Sequence, residues 1–245
     1  NLSATATTGN LIDSGTVTAT GSGTFITLAD NADIDLGTLA ITGPITLTTT
    51  DSSGADSDAS IVNASALTLA ASSVKGNLSA TATTGNLTDS GTVTATGTGT
   101  FITLADDADI DLGTLAVTGA IALTTTDSAG NNSDASIVNA TAVNLAASSI
   151  KGNLLATATT GDLTDSGTVT VAGTAGFTTL ADNAIINLDT LAVAGKIALT
   201  TTDSSGADSN ATIVNTTAVD LNTSSVKGNL SATATTGNLI DSGTV

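Results

Sequence analysis

Eight residue types are missing from this chain: Cys, Met, His, Trp, Tyr, Arg, Glu and Gln do not occur, so only twelve types remain. Without His or Cys there is no imidazole base, no thiolate nucleophile and no usual zinc, copper or haem ligand set. Absence of Cys also removes a disulfide framework. Three Phe are the only aromatics, there is one Pro, and four Lys are the only cationic side chains. No apolar run approaches the ~20 residues that a membrane-spanning helix needs. The balance of 22 Asp against four Lys gives a net charge of −18. Such a chain lacks the basic footprint that nucleic acid or an anionic membrane requires, so neither nucleic acid nor membrane insertion is expected. Calcium would be its natural counter-ion. Carboxylates, hydroxyls and a few amines are the only chemistry left, and enzymatic activity is not expected.

What is present is repetition. The string NLSATATTGN opens at Asn1 and returns at Asn77 and Asn229, with NLLATATTGD at Asn153, a constant spacing of 76 residues. The repeats are therefore 1–76, 77–152 and 153–228, with a partial fourth at 229–245. The first two match at 63 of 76 positions. A fixed period of this kind marks a stacked architecture in which each unit buries its apolar side against its neighbours. The fourth copy breaks off seventeen residues in, at Val245, so the chain is expected to be one continuous segment of something longer.

Apolar residues make up 40% of the chain and mean hydropathy is +0.34, which sets it apart from disordered sequences. Ile, Val, Leu and Ala alternate with Thr and Ser in residues 2–7, 16–20, 45–48 and 67–69, the period of two expected of half-buried strands. Further strands are expected at 25–28, 34–36, 39–41 and 59–62. The inward parity of the Phe25 strand stays open, because Ile26 becomes Thr178 in the third copy. Gly, Asn and Asp punctuate the strands and supply tight corners. No helical period appears.

Small antiparallel sandwiches, one per repeat, compete with one continuous parallel solenoid. Sandwiches bury large residues between their sheets; this repeat offers one Phe, many Ala and no linker. The solenoid is favoured: an all-β parallel β-helix with about three coils per 76-residue repeat. Similar segments starting at Val17, Ile45, Leu67 and Val93 suggest coils of 28, 22 and 26 residues. At about 4.8 Å per coil a repeat would rise roughly 14 Å and the chain about 45 Å.

Residues 76–104, GNLSATATTGNLTDSGTVTATGTGTFITL, followed by ADIDLGTL and GAIALTTT, resemble the repeat regions of filamentous-haemagglutinin-like large exoproteins. The resemblance covers essentially the whole chain and is one of style and period. It implies a right-handed parallel β-helix in a long secreted or bacterial surface protein, extracellular and often adhesive. The family's secretion domain and receptor-binding regions have no counterpart in these 245 residues. On this basis the expected role is a structural, non-enzymatic stalk or filament. Its partners would be other copies, associating end to end or laterally into fibres, and host or partner-cell glycans.

Several features could carry binding. Residues 51–58 place Asp51, Asp56 and Asp58 around Gly54; the second copy has Asp127, Asn131, Asn132 and Asp134, the third Asp203, Asp208 and Asn210. Oxygen-rich loops suit calcium, which takes six to eight oxygen ligands, although the spacing matches neither an EF-hand nor a glycine-rich nonapeptide. The plainer reading is a solvated turn whose Asp and Asn side chains cap backbone. A second cluster, Asp30, Asp33 and Asp35, recurs as Asp106, Asp107, Asp109 and Asp111, but the third copy substitutes Ile185 and Asn187. Thr-x-Thr triplets (Thr5/Thr7, Thr18/Thr20, Thr46/Thr48, Thr81/Thr83, Thr94/Thr96, Thr157/Thr159) would suit an ice-binding face only if they stack in adjacent coils. Asn-x-Ser/Thr sequons, among them Asn1, Asn63, Asn77, Asn139, Asn210, Asn215, Asn222 and Asn229, are candidate glycan acceptors. Lys75, Lys151 and Lys227 recur before Gly at one corner. A calcium-, glycan- or ice-binding module using the Asp- or Thr-rich face is thus the alternative to a passive stalk.

Overall fold

A computed structural model describes every residue except Ser53, Ala55, Ala129, Asn131, Ser205 and Ala207. Among the described residues every strand pairs parallel to its neighbours and no helix occurs, so none is long and apolar enough to cross a membrane. Two 14-stranded sheets face one another, and the chain crosses from one to the other between successive passes. One coil is one pass through each sheet, and the whole is a β-solenoid of about 11 coils.

The first repeat makes seven passes: Leu2–Ala6; Leu11–Ile12 with Val17–Ala19; Gly23–Thr27; Ile34–Ile41; Ile45–Thr48; Ala59–Asn63; and Leu67–Leu69 with Ser72–Val74. Odd-numbered passes lie in one sheet and even-numbered passes in the other. Because seven is odd, the second repeat enters in the opposite sheet: Leu78–Ala82 stacks on Ala59–Asn63, whereas Leu2–Ala6 and Leu154–Ala158 belong to the first sheet. A repeat is therefore three and a half coils, and equivalent residues in consecutive repeats face opposite sides of the rod. The rise is about 17 Å per repeat and roughly 53 Å for the chain.

This corrects the coil boundaries expected from the sequence. Val17 and Ile45 lie in different sheets, so the 28-residue step between them is not a coil. Paired positions are 19 residues apart at Ala59 and Leu78, 21 at Leu2 and Gly23, and 25 at Ile34 and Ala59. Corner length sets the difference, since passes must stay in register while loops between them vary.

Alternating burial settles the inward parity of the Phe25 strand. In Gly23–Thr27, Phe25 is buried and Ile26 points outward, which is why Thr178 is tolerated in the third copy. Each Phe lies between Ala below and Leu above: Ala4, Phe25 and Leu47; Ala80, Phe101 and Leu123; Ala156, Phe177 and Leu199. Small residues under the ring let one narrow core hold an aromatic without splaying the coils, and one contiguous apolar cluster runs the length of the solenoid.

Glycine is required where coils turn in close contact. Gly43 and Gly119 donate N–H bonds to Gly21 and Gly97 carbonyls at 3.2 and 2.9 Å. A Cβ on either would lie 2.6 Å from the backbone of the coil beneath.

Candidate functional site

Polar chemistry concentrates at the corners and at one bulge. In Ile34–Ile41 the register shifts between Leu36 and Leu39, leaving Gly37 and Thr38 outside the ladder. Their N–H groups need acceptors, and Asp13 in the coil below supplies both carboxylate oxygens: Oδ1 accepts Gly37 N–H at 3.2 Å and Oδ2 accepts Thr38 N–H at 2.9 Å and its hydroxyl at 3.0 Å. Asp89 and Asp165 do the same for Gly113–Thr114 and Asp189–Thr190.

Behind the bulge sits Asn63, fully buried. Its Oδ1 accepts Ile41 N–H at 2.9 Å, and its Nδ2 donates to the Ile41 and Ala66 carbonyls at 2.9 and 2.8 Å. The shift leaves Ile41 with no strand residue above it, and the amide replaces the missing backbone. Asn139 and Asn215 repeat the arrangement. These three sequon asparagines are therefore structural in the folded rod and cannot carry a glycan there.

A ladder of Asp and Asn side chains climbs one corner. Asn10 Oδ1 accepts Asp33 N–H at 3.0 Å, Asp33 Oδ1 accepts Asp58 N–H at 2.9 Å, Asp58 Oδ1 accepts Asn77 N–H at 2.7 Å, and Asn77 Oδ1 accepts Thr98 N–H at 2.9 Å. In the second repeat Asn86, Asp109, Asp134 and Asn153 form the same ladder on the opposite corner. The cluster of Asp33 and Asp109 is thus a set of clasps between coils. Asp30, Asp106 and Asp182 likewise accept backbone N–H and hydroxyl bonds from Ser52, Ser128 and Ser204. The αL turn residues Asn31, Asp107 and Asn183 are of the types that tolerate positive φ.

The calcium candidates divide. Asp51 accepts N–H bonds from Gly54 at 3.0 Å and Asp56 at 3.1 Å. Asp51 and Asp56 carboxylates flank Gly54: a Cβ there would meet Asp56 Oδ2 at 3.4 Å and Asp51 Oδ2 at 3.7 Å. Asp203 and Asp208 flank Gly206 in the same way, whereas beside Gly130 the pair is Asp127 and Asn132. Asp58 and Asp134 are directed onto Asn77 and Asn153 instead. Two carboxylates approach per loop in the first and third copies, and among the described residues no group of three is placed to hold a metal ion. Asn131 lies outside the described residues.

The Thr triplets occupy both faces, but they do not stack continuously. Thr81 lies between Val62 and Ile102; in the third copy Thr157, Thr178 and Thr200 do follow one another. Lys75, Lys151 and Lys227 share a backbone role, each donating its N–H to a buried threonine hydroxyl (Thr49, Thr125, Thr201) at 2.8 to 2.9 Å. Two shallow recesses of about 250 Å³ lie at the bulges on opposite faces, one lined by Thr38, Leu39, Val62 and Thr83, the other by Thr114, Leu115, Val138 and Thr159. Their linings carry no ionisable side chain.

The chain matches a family described as repeats of unknown function (DUF5649) over residues 56–105 and 130–200, just under half its length. Both matched segments begin in equivalent loops, at Asp56 and Gly130, so the family's unit runs across the repeat boundary drawn from the sequence. No curated protein and no solved structure matches it. The repeat character read from the sequence is borne out; the chain is a tandem-repeat β-solenoid.

Proposed function

We propose that this chain is a non-enzymatic structural segment of a long secreted or cell-surface protein, acting as a rigid stalk or filament that spaces an adhesive part from its anchor or builds extracellular matrix. The observation that carries this reading is what the polar groups at the corners and bulges do. Asp13, Asp33, Asp58 and Asn63 all spend their side chains on backbone of neighbouring coils. Polar residues deployed this way resist separation of coils along the axis, and a continuous aliphatic core excludes water along the same axis.

The rod should lengthen in proportion to repeat number. Small-angle scattering on chains with two, three and five repeats should give an increment of about 17 Å per repeat at constant cross-section. A radius of gyration that grows as for a flexible string of beads would overturn the stalk.

The paired carboxylates beside Gly54 and Gly206 favour one second reading, a weak calcium-responsive module. Titration calorimetry with calcium chloride separates the two. No heat and no change in melting temperature leave the passive stalk, while saturable binding lost on Asp56→Asn and Asp208→Asn supports the module.

A further inference from the structure

The corner ladder is continuous in the first two repeats and broken in the third. Asp33 and Asp109 each accept the N–H of the loop residue one coil up, Asp58 and Asp134, at 2.9 Å. The equivalent of Asp33 is Ile185, which has no acceptor on its side chain. Its own N–H is still held by Asp162 Oδ1 at 2.9 Å, so the rung below survives. The rung above does not: Asn210 N–H turns back on its own loop, to the Asp208 carbonyl at 3.1 Å.

We propose that this gap is a built-in weak point, a corner that opens locally more often than the equivalent corners of the first two repeats. In the first two repeats the residue that closes the long loop is tied on both sides. Asp58 is held by Asp33 below and holds Asn77 above; Asp134 is held by Asp109 and holds Asn153. Of these two side-chain ties, the described residues leave Asn210 the upper one, Asn229 N–H to its Oδ1 at 2.6 Å. Strand pairing beyond the corner is unchanged, with Ile186 opposite Ala211 and Ile186 N–H on the Asn210 carbonyl at 3.0 Å. The Asp182 clasp on Ser204 is also kept, so the opening unit is the loop-closing residue Asn210 lifting from the coil that carries Ile185, not loss of a whole coil. Local openings of this kind set amide exchange well below the global limit.

Hydrogen exchange measured by NMR on the intact chain tests the weak point, because the three loop-closing amides are single, assignable sites. Protection at Asn210 N–H should be lower than at Asp58 and Asp134 by about tenfold or more, the worth of a hydrogen bond to a charged acceptor. Ile185→Asp should raise protection at Asn210 to the level of the other two. Asp109→Ile, placed in the interior copy, should lower protection at Asp134 by the same factor while circular dichroism shows the fold retained. Equal protection at all three sites in the unaltered chain would overturn the proposal. So would fast exchange at Asn210 that persists in Ile185→Asp, since that would mark fraying from the adjacent chain end and not a missing clasp.

Discussion

Asn139 gives the sharpest handle on how the coils are held. It is fully buried, its Oδ1 accepts Val117 N–H at 2.9 Å, and its Nδ2 donates to the Val117 and Ala142 carbonyls at 2.9 and 2.7 Å and to Thr141 Oγ1 at 2.9 Å. Asn139→Ala removes all of these at once. Thr141 Oγ1 still lies 2.9 Å from the Val117 carbonyl and 3.4 Å from the Ala142 carbonyl, so Val117 N–H loses its acceptor and the Ala142 carbonyl keeps only a long, shared contact. At about 1–3 kcal/mol for each buried group left unsatisfied, the two together put the loss at up to about 6 kcal/mol. Asn139→Asp is nearly isosteric and fails differently. One oxygen still accepts Val117 N–H, but the other confronts two carbonyl oxygens, so the carboxylate is a buried and uncompensated charge costing about 3–5 kcal/mol. The folded state then holds this carboxyl protonated to a higher pH than the unfolded chain does. Its deficit relative to the unaltered chain is accordingly full near neutral pH and shrinks as pH falls through the raised folded value, because the protonated acid can donate to Ala142. Urea unfolding of the unaltered chain, Asn139→Ala and Asn139→Asp at pH 7 and pH 4.5 is the assay. The Asp variant should recover relative to the unaltered chain at the lower pH and the Ala variant should not. Equal midpoints for Asn139→Asp and the unaltered chain at pH 7 would refute the idea that this amide replaces missing backbone.

Other substitutions separate corner, bulge and core. Gly97→Ala would place a Cβ 2.8 Å from the Gly76 carbonyl carbon, and should cost about 1–3 kcal/mol by urea midpoint. Asp89→Ala removes the acceptor for Gly113 and Thr114 N–H at 3.1 and 2.7 Å; water replaces it in part, so a loss of about 1–2 kcal/mol is expected and should appear as faster amide exchange at Thr114. Val93→Asp buries a charge at a fully enclosed position between Ser72 and Leu115, and should lose about 3–5 kcal/mol by the same urea measurement.

Much of the architecture could be read directly from residue order. Alternation of Leu, Ala and Val with Thr and Ser gave strands with the correct faces, and the 76-residue period gave stacking. The number of passes was not legible. Val17, Ile45 and Leu67 start similar strands, yet Val17 lies opposite the other two, because both sheets demand the same alternation and composition does not say which sheet a strand joins. Only counting passes does, and short passes split by a Ser-Gly corner, such as Leu11–Ile12 with Val17–Ala19, look like two strands of different coils. Asn63 was noticed only as a sequon, although it continues the inward parity of Ala59 and Ile61 and is the same in all three copies, which together were the available signal. The carboxylates drew attention as possible ligands; Asp51, Asp127 and Asp203 do cap their own loops, as local spacing allows, but Asp13, Asp33 and Asp58 hold backbone N–H groups 19 to 25 residues away, a relation that no local spacing encodes.

The half-turn per repeat is the claim on which the rest depends, and it can be measured directly because the chain has no native Cys. Ser79 and Leu155 are equivalent positions in consecutive repeats, projecting from opposite sheets, while Ser3 and Leu155 project from the same one. With both members of a pair replaced by spin-labelled Cys, dipolar spectroscopy should place Ser3 and Leu155 about 34 Å apart, seven coils along one face. Ser79 and Leu155 should be separated by roughly 20 Å between backbones and further between labels, the sum of a 17 Å rise and a crossing of the rod. A Ser79–Leu155 separation near 14 Å, as three whole coils on one face would give, would contradict the account.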